Sequence, residues 1–208
     1  MKFDLHIHTT RYSPDSRIDP ETLVRTAREI GLDGIVITEH DRIWPERELQ
    51  SLRTIEPDLF VFAGVEVSAD QGHFLVYGVG DDFNAAWGID VVALCKLVHD
   101  QGGVVVAAHP FRWDQPFDEI LERDKPELDG LELMSRNMDA GCRERALEVQ
   151  ERMGLAGLGS SDAHHESALG DCYSEFPATI RKASDIAAAI RARQVTAHQG
   201  PPAKPVGS

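Results

Sequence analysis

The sequence predicts an α/β fold whose strands bring their C-terminal ends to one mouth. Short apolar runs alternate with helical patterns along the whole chain, which implies a mostly parallel sheet. Five of those runs end in His, Asp or Glu close to a Gly, Ser, Thr or Pro. Chemically active side chains from so many strand ends converge more readily in a barrel mouth than in the single crevice of an open sheet. At 208 residues the chain is one domain of ordinary size and short for eight full strand–helix units, so a smaller or distorted barrel is expected.

The elements follow in order. The first strand contains Asp4-Leu5-His6-Ile7-His8, followed by a polar loop with a turn at Pro14. Asp19 and Pro20 mark a helix start, a capping acid before a proline at the first helical position; Leu23, Ala27 and Ile30 form its stripe and Gly31 stops it. Gly34 to Thr38 reads as a buried strand, Trp44 to Ile55 as a helix ended by Pro57, and Leu59 to Val67 and Gly72 to Val79 as strands. A helix from Ile89 to Asp100 is closed by Gly102-Gly103, and Val104 to Ala108 is the most strand-like run. Phe117 to Arg123 is a short helix, Gly130 to Met134 a strand, Ala140 to Met153 a helix and Leu155 to Gly159 a strand. An alanine-rich helix from Ala183 to Arg193 precedes a short strand near Val195. Residues 1–199 are expected as one domain, and the proline-rich 200–208 as a disordered tail.

The composition narrows the function. No apolar run is long enough to span a bilayer, and charges at Lys2 and Asp4 break any signal-peptide pattern. Cys95, Cys142 and Cys172 are odd in number and widely spaced, which suggests neither a disulfide framework nor a zinc ribbon and fits a reducing cytoplasm. The formal charge of −14 argues against a grip on extended nucleic acid, which needs a basic stripe. Bound divalent cations would make a locally positive pocket, so a small anionic substrate remains open.

The chemistry starts at the first strand. Side chains at i and i+2 share one strand face, so His6 and His8 project together and away from Leu5 and Ile7. Two adjacent imidazoles at a strand end suit one divalent metal. The pair alone is weak evidence. Four later stretches repeat the form: Ile37-Thr38-Glu39-His40-Asp41, Gly64-Val65-Glu66, Ala108-His109-Pro110 and Ser161-Asp162-Ala163-His164. Imidazole and carboxylate ligands suit Zn, Mn or Fe, and a carboxylate with two oxygens is a natural bridge between neighbouring cations.

These five motifs together resemble the PHP family, named for polymerase and histidinol phosphatase, from Met1 to about Gly170. The resemblance implies a distorted (β/α)7 barrel with a two- or three-metal site at the C-terminal mouth of its strands. It places metal ligands at His6, His8, Asp15, His40, Glu66, His73, His109, Asp162 and His164. The implied grouping is His6, His8, Glu66 and Asp162 on one ion; Glu66, His73 and His109 on a second; Asp15, His40 and His164 on a third. The implied activity is metal-dependent hydrolysis of a phosphoester by a hydroxide held between the ions. Glu39 stands where the family usually has Asp and is expected to support a neighbouring ligand from behind. Asp15 stands where the histidinol phosphatase branch has His, which points towards nucleotide-type phosphoesterases.

Other residues are weighed singly. Arg112 and Arg136 follow strand ends and are candidates for binding phosphate, against the plain reading of loop arginines. Asp41 is a candidate for fixing the tautomer of a ligand histidine. His99 reads as a surface helix residue, His165 as a loop histidine, and Cys95 as packed core. The expected function is a metal-dependent phosphoesterase acting on a small nucleotide-like mono- or diester. The alternatives are hydrolysis of an amide or ester, a nuclease acting on oligonucleotides, and a non-catalytic metal-binding module.

Overall fold

The computed structural model describes residues 1–200. The expected tail lies outside the described residues, apart from Gly200, whose N–H donates to the Asp171 carbonyl at 2.8 Å. The elements run β1 (Lys2–Asp4), α1 (Pro20–Glu29), β2 (Gly34–Ile37), α2 (Glu46–Ile55), β3 (Phe60–Ala63), β4 (Val65–Ala69), β5 (Gly72–Tyr77) and α3 (Val91–Asp100). They continue β6 (Val104–Ala107), α4 (Phe117–Asp124), β7 (Gly130–Met134), α5 (Ala140–Met153), β8 (Ala156–Gly159), β9 (Cys172–Glu175), α6 (Ala183–Arg191) and β10 (Thr196–Gln199).

The strands form two five-stranded sheets, ordered β10-β9-β1-β2-β3 and β4-β5-β6-β7-β8. Two sheets of mixed direction thus stand where one mostly parallel sheet was expected. The β1–β2, β2–β3, β6–β7 and β7–β8 pairs are parallel. The pairs that β5 makes with β4 and β6, and β9 with β1 and β10, are antiparallel. The sheets meet through single bridges, Ile7 to Ala163 and His40 to Glu66. The run expected as one strand from Leu59 to Val67 is broken at Gly64, where the chain crosses between sheets. A Cβ there would lie 2.8 Å from the Val76 carbonyl oxygen, so only glycine fits so close a crossing.

Period-two burial places the core on both faces of each sheet. In β5, Phe74 and Val76 face α3 and α4, while Leu75 and Tyr77 face the interior with Phe3, Val36, Phe62, Val104, Val106 and Leu158. Ile186, Ala187 and Ile190 of α6 join that interior cluster. Helices α1 and α2 cover the outer face of β2 and β3 through Leu23, Ala27, Leu49 and Leu52. The Asp19 carboxylate accepts from the Glu21 and Thr22 N–H groups, as expected, and Asp90 caps α3 in the same way. Each such cap is worth about 1 kcal/mol.

Helix α2 begins at Glu46, two residues later than expected, because Trp44 is drawn into the core and donates its indole N–H to Glu39 at 2.8 Å. Strand β9, Cys-Tyr-Ser-Glu, was not foreseen: it is short and mixed in polarity, and its pairing with β1 and β10 makes it a strand.

Candidate metal centre

The C-terminal ends of β1, β2, β6 and β8, with Glu66 of β4 and His73 of β5, converge on a cleft of about 490 Å³. Glu66 lies at its floor, almost fully buried. Its Oε1 is 3.3 Å from His6 Nε2, 3.1 Å from His73 Nδ1 and 3.2 Å from His109 Nε2. Its Oε2 is 3.4 Å from His8 Nε2 and 2.8 Å from His40 Nδ1. The two carboxylate oxygens thus face different sets of imidazoles. Asp162 Oδ1 lies 3.4 Å from both His6 Nε2 and His8 Nε2, and Asp15 Oδ2 lies 3.2 Å from both His40 Nε2 and His164 Nε2.

All nine residues expected as ligands therefore meet at this cleft. Three triads have donor atoms within 4.8 Å of one another: His6 with His8 and Glu66; Glu66 with His73 and His109; and His8 with His40 and His164. The first two match the grouping implied by the resemblance; in the third, His8 stands beside the pair expected with Asp15. His109 and Asp162 hold positive φ values of 28° and 51°, as does Asp41 at 53°. Such backbone costs on the order of 1–3 kcal/mol per residue and persists where surrounding contacts over-determine it.

The electrostatics follow from packing acids against imidazoles in a buried place. Burial raises the Glu66 pKa, but His6, His109 and His40 outweigh it and hold the carboxyl well below its usual range. Asp162 is held low in the same way by His6 and His8. Burial pulls His6 down, yet Asp162, Glu66 and Glu132 raise it well above the ordinary histidine value. His40 also loses to burial and gains more from Glu66 and Asp15, ending near 9. His8 goes the other way, lowered by burial despite Asp162 and Glu66.

A second layer fixes the rings. His6 Nδ1 lies 3.0 Å from Glu132 Oε1, and the His109 backbone N–H donates to Glu132 Oε2 at 2.6 Å. Ser160 Oγ also donates to Glu132. Glu132 is fully buried in β7 and was not singled out from the sequence. A lone acid inside the apolar run Gly-Leu-Glu-Leu-Met was the available signal. His8 Nδ1 meets Ser13 Oγ at 3.2 Å, and Ser13 donates to Glu39. Glu39 also accepts from the Thr9 N–H, the Thr9 hydroxyl and the Trp44 indole, and so supports His8 through Ser13. Asp41 differs from expectation: it accepts the Ser68 N–H at 2.7 Å rather than an imidazole, because its left-handed backbone turns the side chain towards β4.

Among groups expected to bind substrate, Arg112 lines the cleft and reaches Asp162 Oδ2 at 3.3 Å. Arg136 also lines it, more exposed and paired with Asp171 at 2.7 Å. Asn137, which sequence reasoning passed over, donates to Asp162 Oδ2 at 2.6 Å. His165 stands in the same wall. His99, expected at the surface, is partly buried and pairs with Asp129 at 2.8 Å, away from the cleft.

A model of the PHP-associated family matches residues 143–195. That segment is similar to the PHP-associated family and holds the last of the five motifs, Ser161 to His164. An uncharacterised protein of Methanocaldococcus jannaschii is 29% identical over 150 residues, covering 65% of this chain and 82% of that protein. Solved structures share the fold of this chain. PsfC from Pseudomonas syringae superposes with a TM-score of 0.73 at 18% identity over 95% of this chain and 91% of its own. An amidohydrolase from Chromobacterium violaceum, solved with bound sulfate and no metal, gives 0.66 at 14% identity over 93% and 97%. A candidate metal-dependent phosphoesterase from Bifidobacterium adolescentis gives 0.64 at 21% identity over 79% and 88%.

The cleft residues fit divalent ions by their own chemistry. His6 Nε2 and His8 Nε2 are buried with no hydrogen-bonding partner, and both aim at carboxylate oxygens. Their other ring nitrogens are engaged by Glu132 and Ser13, which leaves the Nε2 lone pairs for a cation. Among the described residues, no helix is long and apolar enough to cross a membrane.

Proposed function

We propose that this protein is a metal-dependent phosphoesterase that hydrolyses a small phosphorylated substrate, a nucleotide-like mono- or diester. The observation that carries the reading is Glu66, each of whose oxygens faces a separate set of imidazoles beneath an arginine-bearing cleft. Two or three divalent ions, Zn, Mn or Fe, would be held by His6, His8, Glu66 and Asp162, by His73 and His109, and by Asp15, His40 and His164. Such ions activate water at neutral pH and polarise phosphoryl oxygens. The bridges between the two sheets at Ile7–Ala163 and His40–Glu66 support the distorted (β/α)7 barrel, since they join the sheets where the ligands converge.

The chain's own residues do the rest. Glu132, and Glu39 through Ser13, hold the His6 and His8 rings so that Nε2 faces inward. Arg112 and Arg136 supply guanidinium groups for non-bridging phosphate oxygens. Asn137 and Arg112 hold Asp162 in place from the cleft side. His165 is a cleft imidazole outside the ligand set, suited to giving a proton to the leaving oxygen.

The phosphoesterase name of one structural relative supports the reaction type. The charge of −14 and the lack of a basic, aromatic-interleaved stretch favour a compact anion over a strand of nucleic acid. The test is a screen of metal-reconstituted protein against phosphomonoesters, phosphodiesters, carboxylic esters and amides. Hydrolysis of a phosphoester with a mild salt dependence is expected. Turnover of carbonyl substrates alone, strong preference for an oligonucleotide, or no turnover with fewer than one ion per chain would each overturn the reading.

A further inference from the structure

We infer that Trp113 is an aromatic stacking platform that selects phosphoesters carrying a flat aromatic group, a nucleobase being the fitting example. The inference rests on the phosphoesterase reading and names the leaving-group class. Trp113 lines the cleft yet leaves 73% of its surface in solvent. A bulky apolar ring exposed at a polar, charged site gains nothing by staying there unless something covers it.

The backbone presents the ring at a cost. Trp113 sits at φ 55°, ψ 37°, in the left-handed region, and Phe111 and Asp114 beside it are at φ 69° and 57°. A bulky side chain rarely adopts that conformation. The strained turn is pinned on both sides. Phe111 is buried, meets Phe117 edge-on at 5.4 Å, and lies under the Arg145 guanidinium at 3.9 Å. Gln115 donates its side-chain amide to the Gln71 carbonyl at 2.7 Å. Phe111 is buried and Gln115 partly so; Trp113 between them is exposed.

The ring is also oriented towards the reacting groups. Arg112 stacks its guanidinium on the indole at 3.9 Å, and the indole meets His109 at 6.0 Å, edge to face. With one face backed by a cation, the indole has the other available for a second planar group. Arg112 also touches Asp162 at the cleft floor, so one side-chain pair links a phosphate contact to a ring platform. An ester that presents an anionic phosphate and a flat aromatic ring a few bonds apart matches both.

The experiment compares adenosine 5′-monophosphate with ribose 5-phosphate, which differ only in the base. On metal-loaded protein, kcat/KM should favour the nucleotide by about tenfold or more. Trp113→Leu should bring that ratio close to one, Trp113→Phe should keep most of it, and Trp87→Leu, at an exposed tryptophan outside the cleft, should leave it unchanged. Adenosine alone should quench indole fluorescence in the wild-type protein and not in Trp113→Phe. An unchanged ratio in Trp113→Leu, or equal turnover of the two esters by the wild type, overturns the inference while leaving the phosphoesterase reading intact. If neither ester turns over, the screen of phosphomonoesters and phosphodiesters decides that reading, and the adenosine quench decides the platform: its absence overturns it and its loss in Trp113→Phe supports it.

Discussion

Replacing Glu132 with Gln tests how much of the centre's metal affinity comes from behind the ligands. Glu132 is fully buried and accepts three hydrogen bonds, from His6 Nδ1–H, the His109 backbone N–H and the Ser160 hydroxyl. Gln has the same shape but only one acceptor oxygen. Its NH2 must face either His6 Nδ1–H or the His109 N–H, donor against donor. If the amide oxygen turns to His109, His6 loses the contact that fixes its tautomer. If it turns to His6, the backbone that carries His109 is pushed. Either way one hydrogen bond to a charged acceptor is lost, worth about 1.5–3 kcal/mol.

The loss divides between folding and metal binding. Partners behind metal-ligating histidines typically contribute about 10- to 100-fold in affinity or activity, which is roughly 1.4–2.8 kcal/mol. Competition against a chelator, read as free metal, should therefore show Glu132→Gln weaker by about tenfold or more. Ser160→Ala removes a neutral donor and leaves both ring and backbone contacts, so its shift should be several-fold smaller. A Glu132→Gln protein with wild-type metal affinity and a wild-type Tm would refute the assignment.

Further predictions follow from the same geometry. Glu66→Ala should lose more turnover than any single histidine change, because it strips a carboxylate from two imidazole sets; His99→Ala, near Asp129 and away from the cleft, should cost stability and not turnover, and steady-state rates at saturating metal distinguish them. Arg112→Ala should lower kcat/KM for a phosphomonoester by about tenfold to a hundredfold, the loss of one charge-assisted contact. Metal uptake should release protons and weaken as pH falls below about 9, because His40 then carries the proton that an ion must displace; calorimetry in buffers of different ionisation heat measures it, and zero proton release at pH 7 would contradict it. Cys95 and Cys172, whose thiols burial pushes to about 12, should resist alkylation at pH 8 in the folded protein and react in denaturant.

The parts legible in the sequence are those governed by local periodicity. His6 and His8 share a strand face because the period is two, and Asp19 caps α1 because an acid before proline has that chemistry. The convergence of His6, His8, His40, Glu66, His109, Asp162 and His164 followed from their repeated place at strand ends, while Asp15, in a loop, and His73, at a strand start, came through the resemblance to the PHP family. What escaped was long-range. Strand β9 exists through β1 and β10, and β5 pairs antiparallel with β6 on the far side of α3. Glu132 was hidden because an acid in a strand announces no partner until His6, 126 residues away, is folded against it. Trp44 read as helix from its neighbours, and burial overrode that.

The buried carboxylates of this chain fall into two kinds, and the difference explains why Glu rather than Asp stands at position 39. Glu39 is wrapped by N–H and O–H donors from Thr9, Ser13 and Trp44, and Glu132 by donors from Ser160, His109 and His6. Such donors compensate a buried negative charge without a cation. Glu39 must span Thr9 on one side and the indole on the other, and the extra methylene of Glu gives that reach. Glu66 and Asp162 are different: Glu66 looks almost wholly at imidazoles, and Asp162 at imidazoles, the Arg112 guanidinium and the Asn137 amide, so protons on those rings help to balance their charge. Exchanging those protons for divalent ions keeps the charge balanced, satisfies the orphaned Nε2 atoms and leaves the donor-wrapped acids undisturbed. Folding and metal loading are therefore coupled through Glu66 and Asp162 and not through Glu39. Removing metal at neutral pH should loosen the cleft while α1, α2 and their sheet remain in place.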